Sequence, residues 1–84
     1  MDSAATDTVT VLYFASLRDA AGVASESLPA QGELRGLYAA LRGRHGFALP
    51  IERLRVAVDG AFARWDDPVR AGSEVAFIPP VSGG

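Results

Sequence analysis

The 84-residue sequence predicts an α+β fold, a small mixed sheet with one main helix packed on one face. Three observations carry this expectation. Runs of β-branched and aromatic residues stand near both ends of the chain, TVTVLYF at Thr8–Phe14 and EVAFI at Glu74–Ile78. One stretch, Glu33–His45, has the apolar spacing of an amphipathic helix. Between them Asp59-Gly60 joins two short β-type runs, the signature of a tight hairpin.

The elements follow in order. Residues 1–7 are small and polar and read as a flexible leader; acidic side chains without basic ones exclude a secretory signal pattern. In the strand that follows, Val9, Val11 and Tyr13 share one face and Thr10, Leu12 and Phe14 the other. Both rows are largely apolar, which predicts a central strand covered on both sides in the working assembly. Ala15–Gly22 reads as a turn, Ser25–Leu28 as a short second strand, and Pro29–Gly32 as a break before the helix. Leu34, Leu37, Tyr38 and Leu41 form one helical face. Glu33 falls in the first turn and Arg42, Arg44 and His45 in the last, matching the helix dipole, with Gly46 as the C-cap. Phe47–Leu54 is an irregular connection containing Pro50. Arg55–Val58 and Ala61–Trp65 flank the Asp59-Gly60 turn, Asp66-Asp67-Pro68 and Arg70-Ala71-Gly72 make further turns, and Pro79-Pro80 stops the last strand. This order is a β-grasp arrangement: residues 8–78 form one domain and residues 79–84 an extended tail.

A single helix covers one face of such a sheet. The other face should carry Leu12 or Phe14, Phe62, and Phe77 or Ile78, an exposed apolar patch of the kind that meets a partner.

Composition narrows the chemistry. The net charge is −2, and all eight basic residues are arginines scattered from Arg18 to Arg70 without the basic stripe that nucleic acid requires. No apolar run approaches the ~20 residues of a membrane span. Cytoplasm is the expected location. The chain has no cysteine and no lysine, which excludes a side-chain thiol nucleophile, a cysteine metal site and a side-chain Schiff base. One histidine, His45, cannot build a multi-histidine metal centre, so no metal site is expected.

The reactive group is expected at the end of the main chain. The sequence closes on Ile78-Pro79-Pro80-Val81-Ser82-Gly83-Gly84. The prolines forbid further pairing and hold the chain extended. Fully stretched, the segment from Pro79 reaches roughly 20 Å. Gly83 and Gly84 have no side chains, so they can enter a passage too narrow for a Cβ and leave the terminal carboxylate unobstructed. Such a carboxylate can be activated as an acyl-adenylate and converted to a thiocarboxylate or an amide.

VLYFASLRDAAG (Val11–Gly22) and DDPVRAGSEVAFIPPVSGG (Asp66–Gly84) resemble the small, sulfur-carrying subunits of molybdopterin synthases. That resemblance implies a ubiquitin-like β-grasp fold. It also implies that Gly84 is adenylated by an ATP-dependent activating enzyme similar to ubiquitin-activating enzymes, then sulfurated. Pro80, Val81, Ser82 and Gly83 would insert with it into the large subunit. There the thiocarboxylate would pass sulfur to cyclic pyranopterin monophosphate, in a heterotetramer of two small and two large subunits. The chain would bind no cofactor and be no enzyme on its own; the catalytic pocket would belong to the partner. Phe14, Phe62, Ile78 and Arg18 are the expected partner interface.

The remaining polar residues have structural readings. Arg18 and Asp19 fit a solvated turn pair as well as a partner contact, Asp66 and Asp67 a turn before Pro68, His45 a helix-end charge partner, and Trp65 packing. Competing functions are a sulfur carrier for thiazole or thiolated-tRNA synthesis, a ubiquitin-like modifier joined through Gly84 to lysines of other proteins, and a plain interaction domain.

Overall fold

The structure, a computed structural model, describes residues 7–80. The leader up to residue 6 and the tail residues Val81, Ser82, Gly83 and Gly84 lie outside the described residues. Five strands form one mixed sheet: β1 (Thr8–Tyr13), β2 (Ser25–Pro29), β3 (Arg55–Val58), β4 (Ala61–Phe62) and β5 (Glu74–Ile78), in the order β2-β1-β5-β3-β4. β1 and β5 run parallel, with Tyr13 opposite Phe77, and the other neighbours are antiparallel. The described residues form two α-helices, α1 (Ala15–Ala21) and α2 (Leu34–His45). This is the α+β arrangement expected from the sequence.

The core lies between α2 and one face of the sheet. Val9, Val11 and Tyr13 of β1, Val56 of β3, and Val75 and Phe77 of β5 meet Leu34, Leu37, Tyr38 and Leu41 of α2, all of them buried. The helix periodicity and the strand alternation therefore converge on one apolar layer. Tyr38 organises its aromatic part, with Phe47 stacked at 5.9 Å and Phe77 edge-on at 5.1 Å. Trp65 lies parallel to Phe77 at 5.9 Å, the packing role its position predicted. The Tyr38 hydroxyl donates to the Leu49 carbonyl at 2.6 Å, tying the connection after α2 to the helix. Burial raises the Tyr38 hydroxyl pKa above its ordinary value, with Arg42 opposing the shift.

Two turns follow from sequence chemistry. Gly46 ends α2 in the left-handed region at φ 73°, its N–H donating to the Arg42 carbonyl at 2.8 Å. Asp59 and Gly60 both have positive φ, 51° and 89°, as a tight hairpin needs.

Several expectations need correction. Ala15–Gly22 is not a plain turn: Ala15–Ala21 forms α1, with Leu17 beneath it as its one buried residue and the Gly22 N–H capping the Arg18 carbonyl. Glu33 is the extended N-cap of α2 and not part of its first turn. A 3-10 turn, Ile51–Arg53, interrupts the connection expected to be irregular. The hairpin's second strand stops at Phe62; the Ala63 N–H still donates to the Val56 carbonyl at 2.9 Å, and the chain beyond turns so that Trp65 packs, half-buried, against the core.

His45 has the charge partner that its helix-end position predicts. Its Nε2 lies 2.7 Å from Glu26 Oε1 on β2, the same oxygen that accepts the Tyr13 hydroxyl at 2.5 Å, while Arg44 approaches Glu26 Oε2 at 3.7 Å. The Tyr13 hydrogen bond, aided by His45 and Arg44 against partial burial, lowers the Glu26 pKa; desolvation and the Glu26 contact raise that of Tyr13. The cluster fastens the end of α2 to the edge strand.

Candidate functional site

Among the described residues no helix covers the second face of the sheet. Strand alternation sends Leu12 of β1, Ala57 of β3, and Ala76 and Ile78 of β5 to this side. Phe62 on β4 stands beside Ala57, its register partner, and is 68% exposed. Ala57 also pairs with Ala76, so two methyl groups form the floor while larger side chains form the walls. The result is a shallow hollow of about 280 Å³ in which Leu12, Phe14, Phe62 and Ile78 surround the two alanines. Gly60 and Glu74 complete its margin.

Phe14 reaches this face because of the backbone that follows it. Ala15 has φ 51°, a left-handed conformation costing an alanine about 1 kcal/mol. The chain reverses there, and the Leu17 N–H donates to the Phe14 carbonyl at 3.1 Å. Phe14 is thereby left outside both the strand and the helix, 46% exposed.

Of the residues named from the sequence as a partner interface, Phe14, Phe62 and Ile78 are brought together here. Arg18 does not line the hollow; it is exposed on α1, one turn beyond Phe14. The alternative left open between Phe77 and Ile78 resolves by alternation, Phe77 entering the core and Ile78 the open face. Leu12 and Phe14, posed as alternatives, both contribute. Sequence reasoning missed Ala57 and Ala76. Their small size gives no hydrophobic signal; only the i, i+2 relation to Ile78 could have placed Ala76 on that face, and Ala57 had no such pointer.

The tail leaves from the edge of this site. Ile78 ends β5, Pro79 is half-buried and Pro80 exposed, so the chain departs beside the apolar hollow. The expected reactive residue, Gly84, and the inserting residues Val81, Ser82 and Gly83 lie outside the described residues. A larger hollow of about 610 Å³ lies between α2 and the connection that follows it. Two of its polar side chains already serve the fold: Arg42 donates to the Phe47 and Ala48 carbonyls, and Tyr38 to that of Leu49. It is a structural seam. Among the described residues no group of three or more His, Asp or Glu side chains is placed to hold a metal ion, and no helix is long and apolar enough to cross a membrane.

Comparison with known proteins gives this geometry a context. The ThiS family matches residues 11–84. The molybdopterin synthase sulfur carrier subunit of Escherichia coli K12 is 36% identical over 80 residues, covering 90% of this chain and 99% of that protein. The human molybdopterin synthase sulfur carrier subunit is 34% identical over 82 residues, covering 90% and 93%. Among solved structures, SAMP1 from Haloferax volcanii superposes with a TM-score of 0.74 at 26% identity, covering 92% of this chain and 99% of SAMP1. A complex of subunits 1 and 2 of the molybdopterin-converting factor from Helicobacter pylori contains the same fold, with a TM-score of 0.66 at 22% identity, covering 92% and 99%. With the family matched from β1 to the last residue, and two relatives aligned over nearly their whole length, the chain belongs to the ThiS family, alongside the molybdopterin synthase sulfur carrier subunits.

Proposed function

We propose that the chain is a sulfur carrier in molybdenum cofactor synthesis, with Gly84 as the carrier group. The observation that supports this most is the near full-length likeness to two molybdopterin synthase sulfur carrier subunits, in a chain that ends in Gly83-Gly84 and has no cysteine. The chemistry follows from what the chain possesses. A carboxylate is a poor acyl donor, so an ATP-dependent activating enzyme joins it to AMP with release of pyrophosphate. A sulfur nucleophile then displaces AMP, leaving a thiocarboxylate. In the large subunit, where Pro80, Val81, Ser82 and Gly83 carry the tail inward, the thiocarboxylate sulfur is transferred to cyclic pyranopterin monophosphate. The catalytic pocket belongs to that partner, in an assembly of two small and two large subunits. This chain binds no cofactor; its work is in the cytoplasm.

The open face supplies the docking surface. Burying Phe14, Phe62 and Ile78 against a complementary partner removes apolar side chains from water at about 25 cal/mol per Å². Exposed aromatics of this kind are typical anchors of such interfaces. The test is the mass of the chain isolated from cells. It should rise by one oxygen-to-sulfur exchange at the terminus, and only where the activating enzyme is present. An unmodified terminus in cells making the cofactor overturns the reading.

A second reading, attachment through Gly84 to lysines of other proteins, is favoured by the likeness to SAMP1 and the small archaeal modifier proteins. With no lysine of its own the chain could not extend into side-chain-linked polymers. Reconstitution with the large subunit and the pyranopterin precursor separates the two, since only the first yields a dithiolene.

A further inference from the structure

We propose that Arg53 and Arg55 form a basic docking site at the root of the tail, fitted to a carboxylate-bearing rim on the protein that receives the tail. This rests on the sulfur-carrier reading and names the chemistry of the surface that the tail must pass.

The placement is fixed by the sheet. Arg55 is the register partner of Ile78, the last residue of β5. Leu54, buried in the core, separates Arg53 from Arg55, so the backbone is anchored between the two exposed side chains. Both line a hollow of about 400 Å³ whose other wall is Ile78, Pro79 and Pro80. The chain therefore leaves the domain past two guanidinium groups.

These groups are available. Arg44 is engaged with Glu26, Arg64 with Asp66, and Arg42 with backbone carbonyls. The Arg53 guanidinium makes no hydrogen bond or ion pair among the described residues; only its backbone N–H is engaged, donating to the Pro50 carbonyl. Among the described residues the Arg55 guanidinium is engaged only with the Phe62 ring, its carbon 5.4 Å from the centroid. That contact leaves its charge uncancelled and joins the basic site to the apolar hollow. Glu52, on the 3-10 turn, is the acidic group facing the same space, leaving the site net basic. The chain as a whole is acidic, at −2, so a basic tail root is a local feature.

Charge complementarity then selects the partner surface. The planar fork of an arginine suits carboxylates, and exposed charges at an interface steer association more than they hold the complex. The tail tip is itself an anion, so a pocket that accepts it needs positive charge within. An acidic rim outside gives the domain one orientation in which root and tip are both matched.

The experiment measures association of the full chain with the molybdopterin synthase large subunit as a function of salt. Arg53→Glu and Arg55→Glu should each slow association by about tenfold at low ionic strength. Arg55→Gln should give a smaller loss, and all differences should shrink toward zero near ~0.5 M salt, where the screening length is only a few ångströms. Arg70→Glu makes the same charge change in the loop before β5, at the opposite end of the sheet, and should leave the rate near that of the parent chain. Rates for the tail-root variants no lower than for Arg70→Glu, or losses that ignore salt, overturn the proposal and leave the carrier reading intact. A parent chain that fails to bind the large subunit at all removes both.

Discussion

The two faces of the sheet are built from the same strands and meet opposite surroundings. On the covered face Val11, Tyr13, Val75 and Phe77 are closed off by α2. On the open face their immediate chain neighbours Leu12, Ala76 and Ile78 stay partly accessible and Phe14 exposed around a shallow hollow. A strand period of two makes this unavoidable, because each apolar run must present both rows. The lesson is that apolar character alone does not say whether a residue stabilises the domain or waits for a partner. What decides is whether an element of the same chain lies over it.

That contrast can be broken by substitution, and the largest effect is expected on the covered side. Phe77→Ala should destabilise the domain by about 3–5 kcal/mol in urea unfolding, since it removes a ring packed against Tyr38 and Trp65. Phe62→Asp on the open face should change stability by only about 0.5 kcal/mol. It should nevertheless weaken binding to the large subunit by tenfold or more, about 1.4 kcal/mol, in calorimetric titration. If Phe62→Asp unfolded the chain and left binding intact, the division between the faces would be wrong.

Most of the covered face was legible in the sequence, and the reason is periodicity. Leu34, Leu37, Tyr38 and Leu41 announce α2, and the Asp59-Gly60 dipeptide announces the hairpin. Helix α1 was not legible, because seven residues supply a single buried side chain, Leu17, and one apolar contact makes no period. The open face was legible only in part. Phe14, Phe62 and Ile78 stood out by size, whereas the Ala57–Ala76 pair that makes the surface concave carries no signal of its own. The Glu26 cluster was half visible: His45 looked like a charge partner, but nothing local tied it to a carboxylate on β2.

Smaller effects sharpen the contrast at its margins. Gly60→Ala should cost about 1 kcal/mol in thermal or urea unfolding, because φ 89° is open to glycine and strained for alanine. Smaller still is the pH dependence carried by Glu26. Its pKa is lowered in the folded state, first by the Tyr13 hydrogen bond. The stability it contributes is therefore full above the ordinary carboxylate pKa and is lost as pH falls through the lower folded value. Glu26→Gln should reduce stability at neutral pH and flatten its decline on acidification, measured by urea midpoints across the acid range. The open-face substitutions should leave that acid profile unchanged.

The most direct measurement is dithiolene formation by the chain lacking Gly84, reconstituted with the large subunit, the activating enzyme, a sulfur source and the pyranopterin precursor. Deletion moves the terminal carbonyl back by roughly 3.5 Å and removes none of the core side chains. The expected result is a chain that folds and binds like the parent but transfers no sulfur. Product formed at the parental rate would contradict the assignment of the main-chain terminus as the group that carries it.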